Sequence, residues 1–322
     1  MDQENKGRLG MLAGIAAGAL WGLVFLAPAL VPAFQPLELS VGRYLAYGLI
    51  AAVLVAPSWR RLLRTLRWRE WRGLIWLSLT GNIIYYVLLA SAVQTGGVAM
   101  TSMVIGLLPL VVTLVGSRDR HAVPLRQLIP SLLLSAGGLA CISWQSLAHP
   151  GHASLLGLLC ALAALLSWTV YAVGNSRWLG QLHAVSAQEW NLLTGVVTGA
   201  AALLLAIPVA LAAPAAHGGT AWLQFAGVVT GVALLCSVVG NGLWNHASRV
   251  LPLTLMGQMI VFEFLFALLY GYLWEQRWPT LAEAAATMLL LAGVLACAAA
   301  HRPPTCAARG CGISSQCPPG RT

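Results

Sequence analysis

Charged residues are scarce in this chain of 322 amino acids, which has 18 Lys and Arg, nine Asp and Glu, and a hydrophobic fraction of 59%. Charged residues make up 8% of the sequence, whereas an ordinary soluble domain has about 25%. The mean hydropathy is +0.79. Too few polar side chains are present to cover a water-facing surface, which excludes a soluble enzyme, a disordered protein and a nucleic-acid-binding domain. The net charge of +9 still needs an explanation, since basic proteins often bind polyanions.

Motifs for catalysis and nucleotide binding are also missing. The sequence has no H-E-x-x-H, no P-loop, no glycine-rich dinucleotide turn and no pair of aspartates within an apolar stretch. We therefore expect no enzyme, no cofactor and no bound metal. Without a Walker motif there is no direct ATP drive, so any transport depends on the substrate gradient or on a coupled ion. The alternatives of other classes are an intramembrane enzyme and a non-transporting scaffold.

Long apolar stretches run through almost the whole chain. A helix needs about 20 apolar residues to cross the hydrocarbon core of a bilayer. We therefore predict an all-α polytopic membrane protein with ten transmembrane helices and short connections that leave no room for a soluble domain. The predicted spans are 9–28, 37–56, 72–93, 98–117, 125–146, 154–176, 186–212, 222–245, 253–273 and 280–300.

The basic residues predict the orientation of these spans. Sixteen of the 18 Lys and Arg precede the first span or fall in the even-numbered connections and the tail. Positive residues mark the cytoplasmic side, so both termini are expected in the cytoplasm, with the protein in the cytoplasmic (inner) membrane. Six of these arginines lie among tryptophans in the segment WRRLLRTLRWREWR, residues 59–72. We interpret this segment as a topology signal with interfacial anchors, and binding of anionic lipid or nucleic acid is the alternative.

The two halves of the sequence resemble each other. The run from Leu9 to Trp21 matches the run from Leu156 to Trp168, and AGGLAC at 136–141 matches AGVLAC at 292–297. Each half has five predicted spans, and an odd number turns the second copy upside down in the membrane. Inverted repeats are typical of secondary transporters, whose halves rock about a site near the bilayer midplane. The predicted units are one repeat at 1–150, an inverted repeat at 151–302 and a disordered cytoplasmic tail at 303–322.

Three segments resemble motifs of a known family. The first span from Leu12 to Gly22 is similar to an LxxxGxxxxxLWG pattern, and LLPLV at 107–111 resembles a proline-centred fourth span. FEFLFALLYGYLWEQRWPT at 262–280 resembles a ninth span with Glu, a hydrophobic run and Gly-x-x-x-Glu. Roughly over residues 9–300, the chain is similar to the drug/metabolite transporter superfamily, EamA type. The resemblance implies ten helices and export of small metabolites, as in bacterial exporters of aromatic or neutral amino acids.

Polar and aromatic side chains near the middle of several spans predict a binding pocket. A polar group among apolar helices is costly, so each needs a partner or a purpose. Aromatic walls with amides for polar ends are typical of small-molecule sites. For every one of these residues, a purely structural role is the alternative. The predicted substrate-binding residues in spans one, three, six and eight are Trp21, Asn82, Tyr85, Tyr86, Trp168, Tyr171, Asn241, Trp244 and Asn245.

Two charged residues within spans need separate consideration. Glu263 is the one carboxylate deep in a predicted span, where an ionised carboxylate costs about 3 kcal/mol, so it should face the interior. We predict that it contacts a substrate ammonium or carries a proton, and a hydrogen-bonded structural carboxyl is the alternative. Three roles stay open for Arg43 near one end of span two: contact with a substrate carboxylate, an ion pair with Glu38, or a snorkelling position at the headgroups.

Glycines at i, i+4 spacing form a stripe along the first span. Gly10, Gly14, Gly18 and Gly22 leave one helix face without side chains, so another helix can approach closely. The stripe indicates packing, and a surface for sliding during transport is the functional alternative. Pro109 in span four lacks a backbone N–H and is expected to loosen the helix beside the pocket.

The sequence thus predicts a monomeric secondary transporter that exports neutral or aromatic amino acids by alternating access. Its partners are the small-molecule substrate and the bilayer, without nucleic acid. A proton-coupled exporter of cationic drugs is the alternative, because Glu263 offers a negative charge. Of the seven cysteines, four fall within spans as small apolar residues, and Cys306, Cys311 and Cys317 in the tail are expected to be free thiols.

Overall fold

The computed structural model of the chain describes residues 3–119, 122–147, 155–211, 217–276 and 278–301. Within these ranges all regular structure is helical, without a β-strand. The all-α prediction is therefore confirmed for this part of the chain. The predicted tail, 303–322, lies outside the described residues together with its three cysteines.

The first half of the chain forms eight α-helices in its described part. A 3₁₀ turn, Leu23–Leu26, joins α1 to α2, another, Ala56–Ser58, joins α3 to α4, and a π-helical segment, Leu79–Ile83, joins α5 to α6. Proline stands in the first turn of α2, α3 and α7, where its missing N–H would have no helical partner. The helices are α1 (Gln3–Gly22), α2 (Ala27–Leu30), α3 (Pro36–Val55), α4 (Trp59–Thr65), α5 (Trp68–Ser78), α6 (Ile84–Ile105), α7 (Leu108–Gly116) and α8 (Leu125–Leu147).

The second half forms six α-helices in its described part. A second π-helical segment, Ala233–Gly240, joins α11 to α12. Gln276 ends α13 in a left-handed conformation with φ 52°, and Thr280 and Glu283 form a capping box at the start of α14. The helices are α9 (Leu155–Gln181), α10 (Ala187–Leu211), α11 (Gly219–Val232), α12 (Asn241–Val250), α13 (Leu253–Glu275) and α14 (Leu281–Ala300).

Eight helical stretches in the described ranges are long and apolar enough to cross a membrane. They overlap predicted spans one to three and six to ten, which confirms those eight. Predicted span five corresponds to α8, whose apolar part, Leu125–Cys141, is shorter than the other eight. The eight are Asn5–Leu30, Leu37–Thr65, Trp68–Thr95, Leu155–Gln181, Ala187–Val209, Gly219–Val250, Leu253–Trp274 and Leu281–Ala300.

The boundary between predicted spans three and four is wrong. The sequence suggests a connection at 94–97, yet α6 continues through these residues to Ile105. The helix is interrupted at Gly106 and Leu107 instead, and α7 begins at Leu108. Pro109 explains this position, because its ring clashes with a preceding helical turn but fits the first turn of a new helix.

Helices that the predicted repeat relates to one another pack side by side. α3 packs along α10, α7 along α13 and α8 along α14, which correspond to spans two and seven, four and nine, and five and ten. The contacts made by the first helix of each predicted repeat match as well. α1 contacts α12 and α13, while α9, its predicted counterpart, contacts α6 and α7.

Glycines allow the closest of these contacts. A Cβ added to Gly48 would lie 2.6 Å from the Cα atom of Gly199, where α3 crosses α10. In the glycine stripe of α1, Gly14, Gly18 and Gly22 lie against α13, and Gly10 lies against the end of α12. A Cβ at Gly18 would lie 2.7 Å from the Cβ atom of Phe262 and 2.8 Å from the backbone nitrogen of Glu263. The stripe is therefore a packing surface in this structure.

The Arg-rich segment 59–72 packs against the second half of the chain. Arg61 forms an ion pair with Glu189 in the first turn of α10. The Arg69 guanidinium lies 5.2 Å from the ring centroid of Trp178, near the end of α9. Arg61 also donates to the Ala184 carbonyl oxygen at 3.3 Å, so the predicted second and sixth connections meet at one end of the bundle.

Candidate functional site

Aromatic side chains from three helices form a continuous cluster inside the bundle. The ring centroids of Trp21 and Trp244 are 4.9 Å apart, and those of Trp244 and Trp168 are 6.3 Å apart. Tyr171 extends the cluster at 5.8 Å from Trp168. These separations are typical of favourable aromatic pairs. The structure therefore brings together the aromatic residues predicted from spans one, six and eight.

The indole N–H groups of two of these tryptophans differ in their partners. Trp21 Nε1 donates to the Cys236 carbonyl oxygen at 3.1 Å and to Oδ1 of Asn241 at 2.9 Å. Trp244 Nε1 is buried and has no acceptor within the described residues. A buried donor without an acceptor costs about 1–3 kcal/mol. A ligand carbonyl or carboxylate oxygen would satisfy this N–H group.

The π-helical segment Ala233–Gly240 directs backbone carbonyls toward side chains of other helices. π-Helical turns disrupt the regular hydrogen-bond ladder and often occur at functional sites. Asn191 Nδ2 of α10 donates to the carbonyl oxygens of Ser237 and Val238 at 3.2 and 2.9 Å. The Tyr47 hydroxyl of α3 donates to Oδ1 of Asn191 at 2.5 Å. Asn191 is not among the predicted binding residues, although an amide within the apolar seventh predicted span was a usable signal.

Asn245 takes part in a buried network rather than facing a cavity. Asn175 Nδ2 donates to Oδ1 of Asn245 at 2.8 Å, and Trp190 Nε1 donates to Oδ1 of Asn175 at 3.1 Å. Asn245 Nδ2 donates in turn to the Ala187 carbonyl oxygen at 3.4 Å. The network ties α9, α10 and α12 together. It fits the structural alternative for Asn245, whose binding role stays a prediction.

Two of the predicted residues of span three contact side chains of α10 and α3 that lie outside this network. Asn82 Nδ2 donates to Oγ1 of Thr198 on α10 at 3.3 Å. Tyr85 and Tyr86 are partly buried, and the Tyr86 ring contacts Tyr44 edge-to-face at 6.4 Å. Tyr86 also lines a cavity of about 70 Å³, together with Ser40 and apolar residues of α11. This volume holds a few water molecules.

Arg43 lines the same cavity and points into the bundle. Its Nε donates to Oγ of Ser237 at 3.1 Å, and its guanidinium carbon lies 5.7 Å from the Tyr44 ring centroid. Glu38 instead accepts from the backbone N–H of Gln35 at 2.7 Å as part of the cap of α3. Within the described residues no ion pair joins Arg43 to Glu38, so that alternative is wrong, and the bond to Ser237 favours an interior position of the guanidinium over one at the headgroups.

Glu263 faces the interior, as its cost in lipid requires. It lies on α13 beside Gly18 of α1 and is partly buried. Among the described residues, no hydrogen bond or ion pair closes on its carboxylate. The alternative of a hydrogen-bonded structural carboxyl therefore finds no support in the described structure.

A larger groove of about 770 Å³ lies between α13 and α14. Apolar side chains line most of it, among them Phe262, Phe266, Leu269 and Met288. None of the predicted binding residues lines this groove. It is therefore separate from the aromatic cluster and the two charged residues.

Comparison with known proteins places this arrangement in a family. The sequence model of the EamA-like transporter family matches residues 8–144. The chain is 34% identical over 310 residues to the inner membrane protein YtfF of Escherichia coli (strain K12), a match that covers 89% of this chain and 94% of YtfF. The chain belongs to the EamA-like transporter family. The resemblance stated from its sequence motifs is thereby confirmed.

A solved crystal structure shares the fold of this EamA-like transporter. The two structures superpose with a TM-score of 0.71 at 21% sequence identity, over 89% of this chain and 95% of the other. At this identity the likeness concerns the fold alone. The residues inside this EamA-like transporter therefore have to be interpreted from their own contacts.

Proposed function

We propose that this chain exports small amphipathic metabolites, foremost neutral or aromatic amino acids, by alternating access. The observation that carries the proposal is the aromatic cluster of Trp21, Trp168, Tyr171 and Trp244, contributed by three helices. Aromatic walls with a few polar groups suit a substrate that has both an apolar body and polar ends. The unpartnered N–H of Trp244 supplies one such polar group.

An inverted repeat of two five-helix halves is part of this proposal. Two hydrogen bonds support it. Each joins the π-helical segment of one half to the first helix of the other half. The Cys236 thiol of the second π segment donates to the Leu20 carbonyl oxygen at 2.9 Å. The Ser167 hydroxyl donates to the Thr80 carbonyl oxygen of the first π segment at 2.7 Å. Leu20 and Ser167 precede Trp21 and Trp168, the tryptophans that the sequence repeat aligns. Halves built in this way are suited to rocking about a central site.

The proposed location is the inner membrane, with both termini in the cytoplasm and the monomer as the working unit. The name of YtfF, an inner membrane protein, supports the location. The distribution of Lys and Arg supports the orientation. The contacts of Arg61 with Ala184 and of Arg69 with Trp178 support it as well, because they join two connections assigned to the same side.

A proton-coupled exporter of cationic drugs is the second candidate. The position of Glu263 favours it, since the carboxylate faces the interior without a hydrogen-bond donor in the described residues. A carboxylate in such a place can exchange a proton for a cationic ligand. The two candidates differ in whether a neutral amino acid or an organic cation is transported.

Transport by purified protein in liposomes tests both candidates. Vesicles loaded with unlabelled phenylalanine, leucine or tetraphenylphosphonium would be assayed for uptake of the labelled compound, with and without a pH gradient. We expect counterflow of the amino acids. In Glu263→Gln, any stimulation by the pH gradient should disappear, whereas Glu70→Gln in the Arg-rich connection should keep it. Absence of amino-acid counterflow by folded protein would contradict the leading proposal, and counterflow of the cation alone would favour the second.

A further inference from the structure

Two interior side chains of opposite charge belong to different helices of the bundle. Arg43 belongs to α3, which packs along α10, and Glu263 belongs to α13, which packs along α1 and α7. Glu263 lies against Gly18 of α1, and Arg43 binds Ser237, whose neighbour Cys236 contacts α1 at Leu20 and Trp21. No ion pair within 4.0 Å joins the two in the described part of the chain. Both charged residues are therefore held beside the same turn of α1 without pairing directly.

The hydrogen bonds of Arg43 leave most of its donors unused. An arginine side chain has five N–H donors in a planar fork that fits a carboxylate. In Arg43, Nε donates to Ser237, while the two terminal nitrogen atoms have no acceptor among the described residues. Ser237 fixes the guanidinium by its inner edge. The outer edge, which can bind a carboxylate through two parallel hydrogen bonds, stays available.

Among the described residues, the Glu263 carboxylate lacks hydrogen-bond donors, just as the terminal nitrogen atoms of Arg43 lack acceptors. Its carboxylate has two oxygens that accept hydrogen bonds, and no donor reaches them within the described residues. The close contact of its backbone with Gly18 fixes the helix at this level. The position of Glu263 is thus defined by its helix contact, and no cation pairs with its carboxylate among the described residues.

The π-helical segment Ala233–Gly240 links Arg43 to the aromatic cluster. Cys236 accepts from Trp21 through its carbonyl oxygen, and the next residue, Ser237, accepts from Arg43 through its hydroxyl. Two consecutive residues therefore hold the aromatic cluster and the cationic group in one fixed relation. A ligand bound to the charges would have its apolar part beside the aromatic rings.

We propose that Arg43 and Glu263 together select a zwitterionic substrate, Arg43 binding its carboxylate and Glu263 its ammonium group. The inference rests on the proposed function, because it concerns the same transport site. A zwitterion supplies one partner to each charge and leaves the loaded site neutral. A substrate with a single charge leaves one buried charge unpaired, a deficit that costs about 30-fold or more in affinity. Arg43 is thus a specificity-determining residue.

Three compounds that share one aromatic ring test the proposal. Phenylalanine is a zwitterion at neutral pH, phenylalaninamide lacks the carboxylate, and 3-phenylpropionate lacks the ammonium group. Each would compete for counterflow of labelled phenylalanine in liposomes that contain the full-length protein. We expect phenylalanine to compete about 30-fold better than either analogue. Competition by an analogue within threefold of phenylalanine would overturn the proposal.

Variants identify the residues responsible. Arg43→Gln should invert the preference, so that phenylalaninamide competes better than phenylalanine. Glu263→Gln should likewise make 3-phenylpropionate compete better than phenylalanine. A purely structural pair would lower transport of all three compounds together. Arg177→Gln is the matched control, since Arg177 lies in an exposed ion pair with Asp119, and its selectivity should equal that of the wild type. Unchanged selectivity in Arg43→Gln would overturn the proposal.

Two further measurements cover failure of folding and failure of transport. If Arg43→Gln does not fold, Arg43→Lys keeps the charge without the planar fork and should bind phenylalanine less tightly while still preferring it to the amide. If folded wild-type protein transports none of the three compounds, the proposed function fails, and calorimetric binding to the detergent-solubilised protein tests the charges alone. Binding of phenylalanine above both analogues supports them as a zwitterion site. Equal or absent binding of all three overturns the inference.

Discussion

Gly18→Ala is the sharpest test of the contact between α1 and α13. The added methyl group would lie 2.7 Å from Cβ and 2.9 Å from the carbonyl carbon of Phe262, and 2.8 Å from the backbone nitrogen of Glu263. Ordinary contacts of a Cβ atom lie at 3.4–4 Å. All three neighbours are backbone or Cβ atoms, so no side-chain rotation can relieve the clash. The helices have to separate by several tenths of an ångström.

Two opposing effects set the magnitude. Overpacking of this kind typically costs about 1–3 kcal/mol, and a gap of 0.5–1 Å elsewhere along the interface forfeits about a quarter to a half of each contact's dispersion energy. Alanine in place of glycine within a helix returns about 0.5–1 kcal/mol. We therefore expect the free energy of unfolding to fall by about 1–2 kcal/mol in Gly18→Ala.

A graded series separates the clash from the effect of the substitution itself. Gly14→Ala meets the Met259 side chain at 3.0 Å, and this flexible chain can move aside, so its cost should be smaller. Gly227→Ala and Gly231→Ala add a methyl group with no atom within 4 Å and should raise the free energy of unfolding by about 0.5–1 kcal/mol, because only the helix-propensity gain of alanine remains. Equilibrium unfolding in mixed micelles, followed by tryptophan fluorescence, measures all four.

The order of the series decides the outcome. If Gly18→Ala is as stable as Gly227→Ala, α1 and α13 do not approach each other as closely as the structure has them. The series also separates packing from sliding along the stripe. A Gly14→Ala protein of nearly wild-type stability but several-fold slower counterflow would show that the helices move past each other during transport. Equal losses of stability and transport would indicate packing alone.

Two further predictions concern the tryptophans and the amide network. Trp21→Phe should lower the free energy of unfolding by about 1 kcal/mol, because two acceptors lose their donor. Trp244→Phe should lower it less than Trp21→Phe does, because loss of a buried N–H without a partner offsets part of the packing lost with the smaller ring, yet it should weaken substrate binding; equal destabilisation of the two variants in thermal unfolding would contradict this. Asn175→Leu should cost about 2 kcal/mol, since Trp190 and Asn245 each lose a buried partner, without changing substrate selectivity in counterflow. An unaltered melting temperature in this variant would refute the structural role of the network.

The spans could be predicted from sequence because bilayer thickness imposes a length on every apolar helix. Eight predicted spans match helices of the structure for this reason. The error at 94–97 has a local cause. Apolar runs show where a helix is stable in lipid but not where the chain breaks, and here the break is set by the steric demand of Pro109 on the residues before it.

The candidate site was predictable in part. The tryptophans of spans one, six and eight meet as the repeat suggests. The direction of Arg43 was not predictable, because a long basic side chain near a span end can reach either the headgroups or the interior. Its direction depends on Ser237, which is 194 residues away in sequence. Likewise, no sequence pattern distinguishes Asn245, held in a network, from an amide that faces a cavity.

Satisfaction of hydrogen bonds distinguishes structural polar groups from ligand-binding ones more reliably than residue type does. In the hydrocarbon interior no water is present to bind an unused donor or acceptor, so structural amides must be saturated by the protein. Asn175, Asn191 and Asn245 meet this condition. Within the described residues, the Trp244 N–H, the outer edge of Arg43 and the Glu263 carboxylate do not. Each unsatisfied group carries an energetic cost that evolution could remove with an apolar side chain, and a bound substrate offsets that cost. These three groups are a donor, a cation and an anion, and the proposed zwitterionic substrate has an acceptor, a carboxylate and an ammonium group to offer them.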